Sequence, residues 1–484
     1  MRHITITFLL TTLFLTVAQH SFAGLEKKSP AASKPNIIYI LADDLGYGDL
    51  SSSGQEKFTT PNIDKLAAEG MVFTQHYSGS TVCAPSRSSL MTGLHTGHTP
   101  VRGNYEIQPE GQYPFPADVP TIPKLLKSKG YVSGAFGKWG LGYPGSEGDP
   151  TNHFDVFYGF NCQRLGHHYY PYHLWDNTTK VILEGNAGKM KNQYAPELIH
   201  ERVLDFIEDN KDKPFFCYVP SIIPHAELIA PENYMNKFRG KMGKETPWEG
   251  TDSGPEYRLG KYESQAEPRA AFAAMVALLD DQVGEIVAKV EELGLAEKTL
   301  IIFTSDNGPH QEAGADPDFF QSNGGFRGYK RDLYEGGIRV PMIAHWPSII
   351  KPGSRSDHVS AFWDVLPTIM DLAGGESCSD IDGISFLPEL IGKKQKEHDY
   401  LYWEFHERGG RVAIRKGNWK AVRYNLLKNP NAPVQLFDLS SDPMEQNDLA
   451  SLYPGIVKEM QAIFKNARTH SEIFKFSQTQ YRGD

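Results

Sequence analysis

The stretch Asn36-Ile37-Ile38-Tyr39-Ile40-Leu41-Ala42-Asp43-Asp44 decides the fold. From Asn36 to Leu41 it is a continuous apolar, β-branched run, a pattern that suits a strand buried on both faces of a parallel sheet. Similar runs recur at Tyr131 to Phe136, Phe215 to Val219, Thr299 to Phe303 and Val340 to Trp346. Helical patterns lie between them: Asn62 to Glu69 stopped at Gly70, Ile122 to Lys129 stopped at Gly130, Glu197 to Glu208, and Arg269 to Leu293 stopped at Gly294. Strands alternating with helices predict an α/β domain, a mostly parallel sheet sandwiched by helices.

After about residue 390 the rhythm changes. Tyr400 to Phe405, Gly410 to Arg415, Asn418 to Val422 and Val434 to Leu439 are short strand-like runs, and a last helical pattern spans Gly455 to Ala467. A chain of 484 residues exceeds what one core usually serves. We therefore expect an α/β domain over 36–390 and a smaller C-terminal α+β subdomain over 391–484, with an antiparallel sheet and one helix. Residues 226–268 are polar, Gly- and Pro-rich and weakly periodic, so they read as a long loop of the kind that shapes a binding site.

The N-terminus reads as a signal peptide over 1–23: Arg2 and His3, an apolar run from Ile4 to Ala18, then Ser21-Phe22-Ala23 as a cleavage pattern. Residues 24–35 read as a linker. The apolar run is short of the roughly 20 residues a membrane span needs, and no later stretch is long enough. The expected location is periplasmic or secreted. A formal net charge of −10 disfavours a nucleic-acid partner. The four cysteines are too few for a disulfide scaffold. With Cys83 set apart, Cys162, Cys217 and Cys378 allow one bridge at most, in any pairing, and the oligomeric state stays open.

Ligands of open α/β sheets bind beyond the carboxyl ends of the strands. Asp43-Asp44 follows the first run, Gly137-Lys138-Trp139 the second, Pro224-His225 the third and Ser305-Asp306-Asn307-Gly308 the fourth. Each alone is an ordinary turn, cap or solvated side chain. Together they bring acids, an amide, a lysine and a histidine to one edge. Asp43, Asp44, Asp306 and Asn307 make an all-oxygen set, suited to Ca²⁺ or Mg²⁺ rather than zinc. Ca²⁺ is preferred for an extracytoplasmic site.

Cys83-Ala84-Pro85-Ser86-Arg87 precedes Ser88-Ser89-Leu90-Met91-Thr92-Gly93. Pro85 is placed as the first helical residue, so Cys83 lies just ahead of a helix N-terminus that attracts anions, with Arg87 on the same side. This stretch resembles the signature of the type I sulfatases, Cys-x-Pro-Ser-Arg with a downstream Thr-Gly. The resemblance extends over nearly the whole mature chain: Asn36 to Gly46, Thr60 to Asp64 with Leu66 to Phe73, Lys138, His225, Asp306 to Gly308, and Lys330 ahead of Glu335 to Pro341. It implies the alkaline-phosphatase-like fold and oxidation of Cys83 to Cα-formylglycine by a maturation enzyme. It also implies a metal held by Asp43, Asp44, modified Cys83, Asp306 and Asn307, and catalytic roles for Cys83, Arg87, Lys138, His225 and Lys330. In the implied reaction, one hydroxyl of the hydrated aldehyde attacks sulfur and His225 or Lys330 protonates the leaving oxygen. The second hydroxyl then loses its proton to expel sulfate. A divalent cation with three Asp sums to about −1, and three basic side chains bring the pocket to about +2, enough to hold an anion in an acidic protein.

One departure stands out. Many sulfatases carry His two residues after the Lys, as the group thought to deprotonate that second hydroxyl. This chain has Gly140. His95 and His98, just past the signature, are candidate replacements.

Residues 161–175 (NCQRLGHHYYPYHLW) and Trp403 to Gly409 are rich in aromatic, amide and imidazole groups that suit sugar rings. They point to a sulfated carbohydrate, cut exo-fashion, with Gln163, His168, His406 and Arg408 as contacts. Two other readings fit the same motifs. One is a phosphoester or phosphonate hydrolase, and the other is a sulfated-glycan-binding protein without catalysis.

Overall fold

The computed structural model describes residues 34–375 and 379–475. The expected signal peptide, nearly all of the linker and Cys378 lie outside the described residues. In chain order the strands are β1 (Asn36–Ala42), β2 (Met71–Phe73), β3 (His76–Tyr77), β4 (Val132–Lys138), β5 (Val156–Phe160), β6 (His173–Asp176), β7 (Thr179–Ile182) and β8 (Phe215–Pro220). There follow β9 (Thr299–Ser305), β10 (Met342–His345), β11 (Ser354–Ser356), β12 (Ser360–Ala361), β13 (Leu401–Phe405), β14 (Arg411–Lys416), β15 (Trp419–Tyr424) and β16 (Gln435–Asp438).

The large sheet has the order β11-β2-β10-β9-β1-β8-β4-β5-β6-β7. Its central strands β9, β1, β8, β4 and β5 are mutually parallel. Every residue of β1 is buried. Its alternate side chains enter two cores: Ile38, Ile40 and Ala42 on one face, and Ile37, Tyr39 and Leu41 on the other. The first core is closed by the helices Pro61–Glu69, Ala195–Asp209 and Pro268–Glu292. The second is closed by Cys83–Thr92, Ile122–Lys127 and Val365–Leu372. Each fully buried Ile or Leu stabilises the fold by about 1.5–3 kcal/mol, which is why the run from Ile37 to Leu41 cannot tolerate polar residues on either face.

Three expectations change. The run Val340 to Trp346 forms β10, but antiparallel to β9. The helices between β9 and β10, Pro317–Phe320 and Glu335–Ile338, have four residues each. Residues 306–341 carry no helix longer than four residues across a face of the sheet, and the chain re-enters beside β9 running back. Residues 226–268 are not a bare loop: they hold the helix Glu232–Phe238 and a bridge between Trp248 and Gln265. Gly70 ends its helix with an extended φ of −120° rather than a left-handed one. A Cβ there would lie 2.5 Å from the Ala344 carbonyl oxygen, so close packing against β10, not turn geometry, requires the glycine.

The C-terminal strands form a four-stranded antiparallel sheet, β13-β14-β15-β16. One face packs Ile414 and Leu436 with Met460 and Phe464 of the helix Pro454–Asn466. The other packs Trp403, Phe405 and Val422 with Tyr77, Val82, Leu333 and Trp363. Among the described residues, Cys83, Cys162 and Cys217 are free thiols, and no helix is long and apolar enough to cross a membrane.

Candidate active site

The parallel strands deliver their chemistry to one edge. Ala42 of β1 pairs with Ser305 of β9, so Asp43-Asp44 and Asp306-Asn307 leave the sheet side by side. Lys138 is the last residue of β4, and β8 leads through 221–224 to His225. The signature helix spans Cys83–Thr92 with Val82 as its N-cap. Cys83 is thus the first helical residue, two positions earlier than Pro85 suggested. A proline in the first turn needs no amide hydrogen, so the helix accommodates it there. No side chain caps this N-terminus from within. Asn104 does so from outside, its Oδ1 accepting from Ala84 N–H at 3.1 Å.

Around Cys83 the buried groups interlock. Cys83 Sγ lies 3.3 Å from Asp43 Oδ1, and Lys138 Nζ lies 3.5 Å from Sγ while pairing with Asp43 Oδ2. Arg87 donates to Asp306 Oδ2 from Nε at 3.1 Å and Nη2 at 2.8 Å, and stands 3.4 Å from Asp43. Lys330 Nζ is 2.8 Å from both Asp44 Oδ2 and His225 Nε2. Asn307 Nδ2 donates to Asp44 Oδ1 at 2.6 Å, and its buried Oδ1 has no hydrogen-bond partner. That orphaned oxygen, beside three buried carboxylates, fits a hard divalent cation. Asp43, Asp44, Cys83 and His225 each offer an atom within 4.8 Å of the others.

The electrostatics follow from burial and these partners. Burial opposes ionisation of Asp43, but Lys138, Arg87 and Lys330 outweigh it and hold the carboxyl below its usual range. Burial and the Asp43 charge push Asp306 up to about 7, against the pull of Arg87. Burial, Asp306 and Asp43 push the Cys83 thiol well up, so an unmodified thiol here is protonated and a weak nucleophile. Burial, His167 and Lys330 hold His225 neutral. Lys330 donates to His225 Nε2, so the ring proton sits on Nδ1, toward the Ala226 carbonyl.

Sequence reading missed His167, Glu312 and Tyr262. The 3₁₀ turn Leu165–His167 places the ring of His167 face to face with His225, centroids 3.9 Å apart. Its Nε2 is 3.5 Å from Lys138 Nζ. Glu312 pairs with Arg331 at 2.6 Å and Lys330 at 3.7 Å, and accepts from Tyr262 Oη at 3.4 Å. The His167-His168 pair was the signal, but it did not say which ring faces the site. His168 is fully buried, accepting from Gly260 N–H at 2.8 Å and lying 3.3 Å from Glu227; it offers no surface to a substrate. His406 is likewise fully buried, 3.2 Å from Glu404. Arg408 is exposed, with a left-handed φ of 47°. Gln163 is buried against Gly140. His95 and His98 converge on Asp382 instead, at 3.5 and 2.9 Å, with His95 Nδ1 accepting from Gly97 N–H.

Residues 35–375 match the family model for sulfatases. The chain belongs to the sulfatase family. This sulfatase also matches, over 324–470, the model for the C-terminal region of N-sulphoglucosamine sulphohydrolase. It is 32% identical to arylsulfatase A of Bos taurus, covering 94% of this chain and 89% of the relative. It is 28% identical to the N-acetylgalactosamine-6-O-sulfatase of Bacteroides thetaiotaomicron, covering 90% and 94%. Among solved structures, Ps i-CgsB aligns with a TM-score of 0.76 at 29% identity, over 92% of this chain and 96% of that one. The sulfatase is a sulfuric ester hydrolase, and its mixed, centrally parallel sheet with a separate small antiparallel sheet is the alkaline-phosphatase-like architecture.

Proposed function

We propose that this sulfatase removes sulfate from a carbohydrate, acting exo-fashion in a pocket, after Cys83 is converted to formylglycine by a maturation enzyme. The observation that carries the reading is the convergence around Cys83 of Lys138 and three carboxylates from strand ends, Arg87 from the signature helix and Lys330 from the segment that follows β9. A sugar substrate is supported by the N-acetylgalactosamine-6-O-sulfatase likeness and by the structure of Ps i-CgsB in complex with k-i-k-neocarrahexaose.

Asp43, Asp44, Asp306, Asn307 and residue 83 would hold Ca²⁺, with Mg²⁺ the alternative; the cation supplies charge stabilisation for the transferred oxyanion. Formylglycine, once hydrated, supplies two hydroxyls on one carbon, one to attack and one to release, which a thiol does not. The chain's own groups do the rest. Arg87 fixes Asp306 and Asp43 in place. Lys330 carries the proton for the leaving oxygen, because His225 Nε2 accepts from it and so has none to give. Export through the 1–23 segment completes the proposal, and the mature N-terminus is then Gly24.

Mass spectrometry of the residue-83 peptide tests the nucleophile: conversion lowers its mass by about 18 Da. A panel of defined sulfated mono- and oligosaccharides tests the substrate, with an aryl phosphate as the comparison. Unmodified cysteine in the native protein, or faster turnover of the phosphate than of any sulfate ester, would sink the reading. Binding of sulfated sugars without release, in fully converted protein, would identify a lectin instead.

A further inference from the structure

Beyond the catalytic groups lies a cavity of about 450 Å³, lined by the segment 107–110, by residues 143–144 and by the hairpin of β6 and β7. Ile107, Pro109, Tyr143 and Trp175 supply its apolar lining, and Glu110 and Lys180 its charged groups. Glu110 ties the polar side together. It accepts from Trp175 Nε1 at 2.6 Å and pairs with His173 at 2.8 Å and Lys180 at 3.2 Å. Lys180 stands 5.0 Å over the Trp175 ring and is exposed. An ammonium carries three donors, so one hydrogen bond to Glu110 leaves Lys180 two for a ligand. Trp175 and Tyr143 are half-buried, so each ring is held while part of it stays open. Flat apolar surface with a few fixed polar groups in a concave space suits a pyranose ring, which has apolar faces and a polar rim.

Three connections tie this cavity to the catalytic edge. In the sheet, Gly137 pairs with Gly159, and Gly159 pairs with Trp175. Trp175 therefore sits two strands, about 10 Å, from the residue before Lys138. Asn104, which caps the signature helix at Ala84, comes three residues before Ile107, a reach of about 11 Å at most. Arg164 braces the segment that lines the cavity. It pairs with Glu106 at 2.5 Å and donates to Gln108 Oε1 at 3.2 Å and to the Pro109 carbonyl at 2.7 Å. Three residues on, His167 faces Lys138 at 3.5 Å. The stretch 161–175 thus runs from the catalytic groups to the cavity, where its last residue, Trp175, supplies the aromatic surface.

We propose that this cavity binds a second pyranose of the substrate, further along the chain from the sugar whose sulfate lies at residue 83. This rests on the carbohydrate reading of the catalytic site and deepens it: the substrate is an oligosaccharide, not a free sulfated monosaccharide. Tyr143 and Trp175 take the apolar faces of the distal ring, and Lys180 donates to its oxygens. None of the three touches the reacting atoms, so they act on affinity and on the length of substrate accepted.

The test offers each of two sulfated sugars free and as the non-reducing end of a pentasaccharide. The pairs are N-acetylgalactosamine 6-sulfate with a chondroitin 6-sulfate pentasaccharide, and galactose 4-sulfate with a κ-carrageenan pentasaccharide. The enzyme used carries formylglycine at residue 83. For the sugar it accepts, kcat/KM is expected to be about tenfold higher for the pentasaccharide than for the free sugar, the scale of one aromatic contact. Tyr143→Ala and Lys180→Ala should each bring that ratio down toward one, chiefly by raising KM for the pentasaccharide. Melting curves check that the variants fold, and Lys180→Ala, at an exposed position of the hairpin, decides the matter where Tyr143→Ala does not fold. A free sugar cleaved as efficiently as its pentasaccharide overturns the role of the cavity and leaves the carbohydrate reading standing. So do folded variants whose ratio stays within about twofold of the parent's. If no free sugar and no pentasaccharide is cleaved or slows aryl sulfate turnover, this inference and the carbohydrate reading fall together.

Discussion

A methyl group at position 140 has to displace the amide of Gln163. Gly140 has φ +74°, and a Cβ there would stand 1.8 Å from Gln163 Nε2 and 2.7 Å from its Cδ. Left-handed backbone strain and overpacking each cost about 1–3 kcal/mol. Gly140→Ala should therefore lower stability by about 2–4 kcal/mol, read from denaturant midpoints. Adding Gln163→Ala, which removes the colliding amide, should recover the packing share and leave the backbone share; equal stabilities of single and double variants would refute this. The glycine is thus one half of a matched pair, and restoring a histidine at 140 requires emptying position 163 as well. A second residue sets a pH dependence. Asp49 is fully buried, and Oδ2 accepts from Gly46 N–H at 2.8 Å. Burial pushes its carboxyl from 3.8 up to about 7. The native state then keeps a proton that the unfolded chain releases, so this group costs stability progressively as pH rises from about 4 through 7. Asp49→Asn should raise the melting temperature by several degrees at pH 8 and leave it unchanged at pH 4. No gain at pH 8 would show that the carboxyl ionises without penalty.

At the scale of the element, the helix Cys83–Thr92 depends on a group far along the chain. Asn104 Oδ1 caps Ala84 N–H, and its backbone N–H donates to Glu407 Oε1 at 3.4 Å. Asn104→Ala leaves a part-buried N–H unpaired, worth about 1–3 kcal/mol. The expected outcome is a lower denaturation midpoint and reduced kcat, because residue 83 sits in the turn that loosens. Asn104→Asp, which keeps the acceptor, should fall less. Legibility differs from element to element. The run from Ile37 to Leu41 announces its strand because both faces are apolar, and Asp43, Asp44, Lys138, His225, Asp306 and Asn307 are legible because parallel strands end on one edge. The Val340 to Trp346 run was legible as a strand but not in direction, since direction depends on how the chain returns from β9. Strands β6 and β7 carry polar residues and escaped notice, because an edge hairpin is not buried on both faces.

At the scale of the whole molecule, a buried charge cluster fastens the small sheet to the segment that leads from β9 to β10 and to β3. Lys420 of β15 is fully buried, 2.8 Å from Glu335 and 3.0 Å from Glu445. Glu335 also accepts from Tyr77 Oη at 2.6 Å and pairs with Arg339 at 3.2 Å. Removing one partner of a buried pair costs about 3–5 kcal/mol. Lys420→Met should cost about 3 kcal/mol, and Lys420→Met with Glu335→Gln should lose less than the two single losses summed. Additive losses in a double-variant cycle would show that the two groups do not couple. The cluster matters for the site because Glu335 lies five residues after Lys330, on the short helix that returns the chain to β10. By itself the sequence determined the central strand runs, the edge to which they carry acids and Lys138, and the placing of Cys83 in its signature, because local apolar periodicity, strand ends and short motifs are written in consecutive residues. Only the tertiary structure decided that His167 faces Lys138 while His168 turns to Gly260 and Glu227. In a 3₁₀ turn one residue rotates a side chain by about 120°, and which of two neighbouring imidazoles meets the site is then fixed by packing from strands far away in the chain.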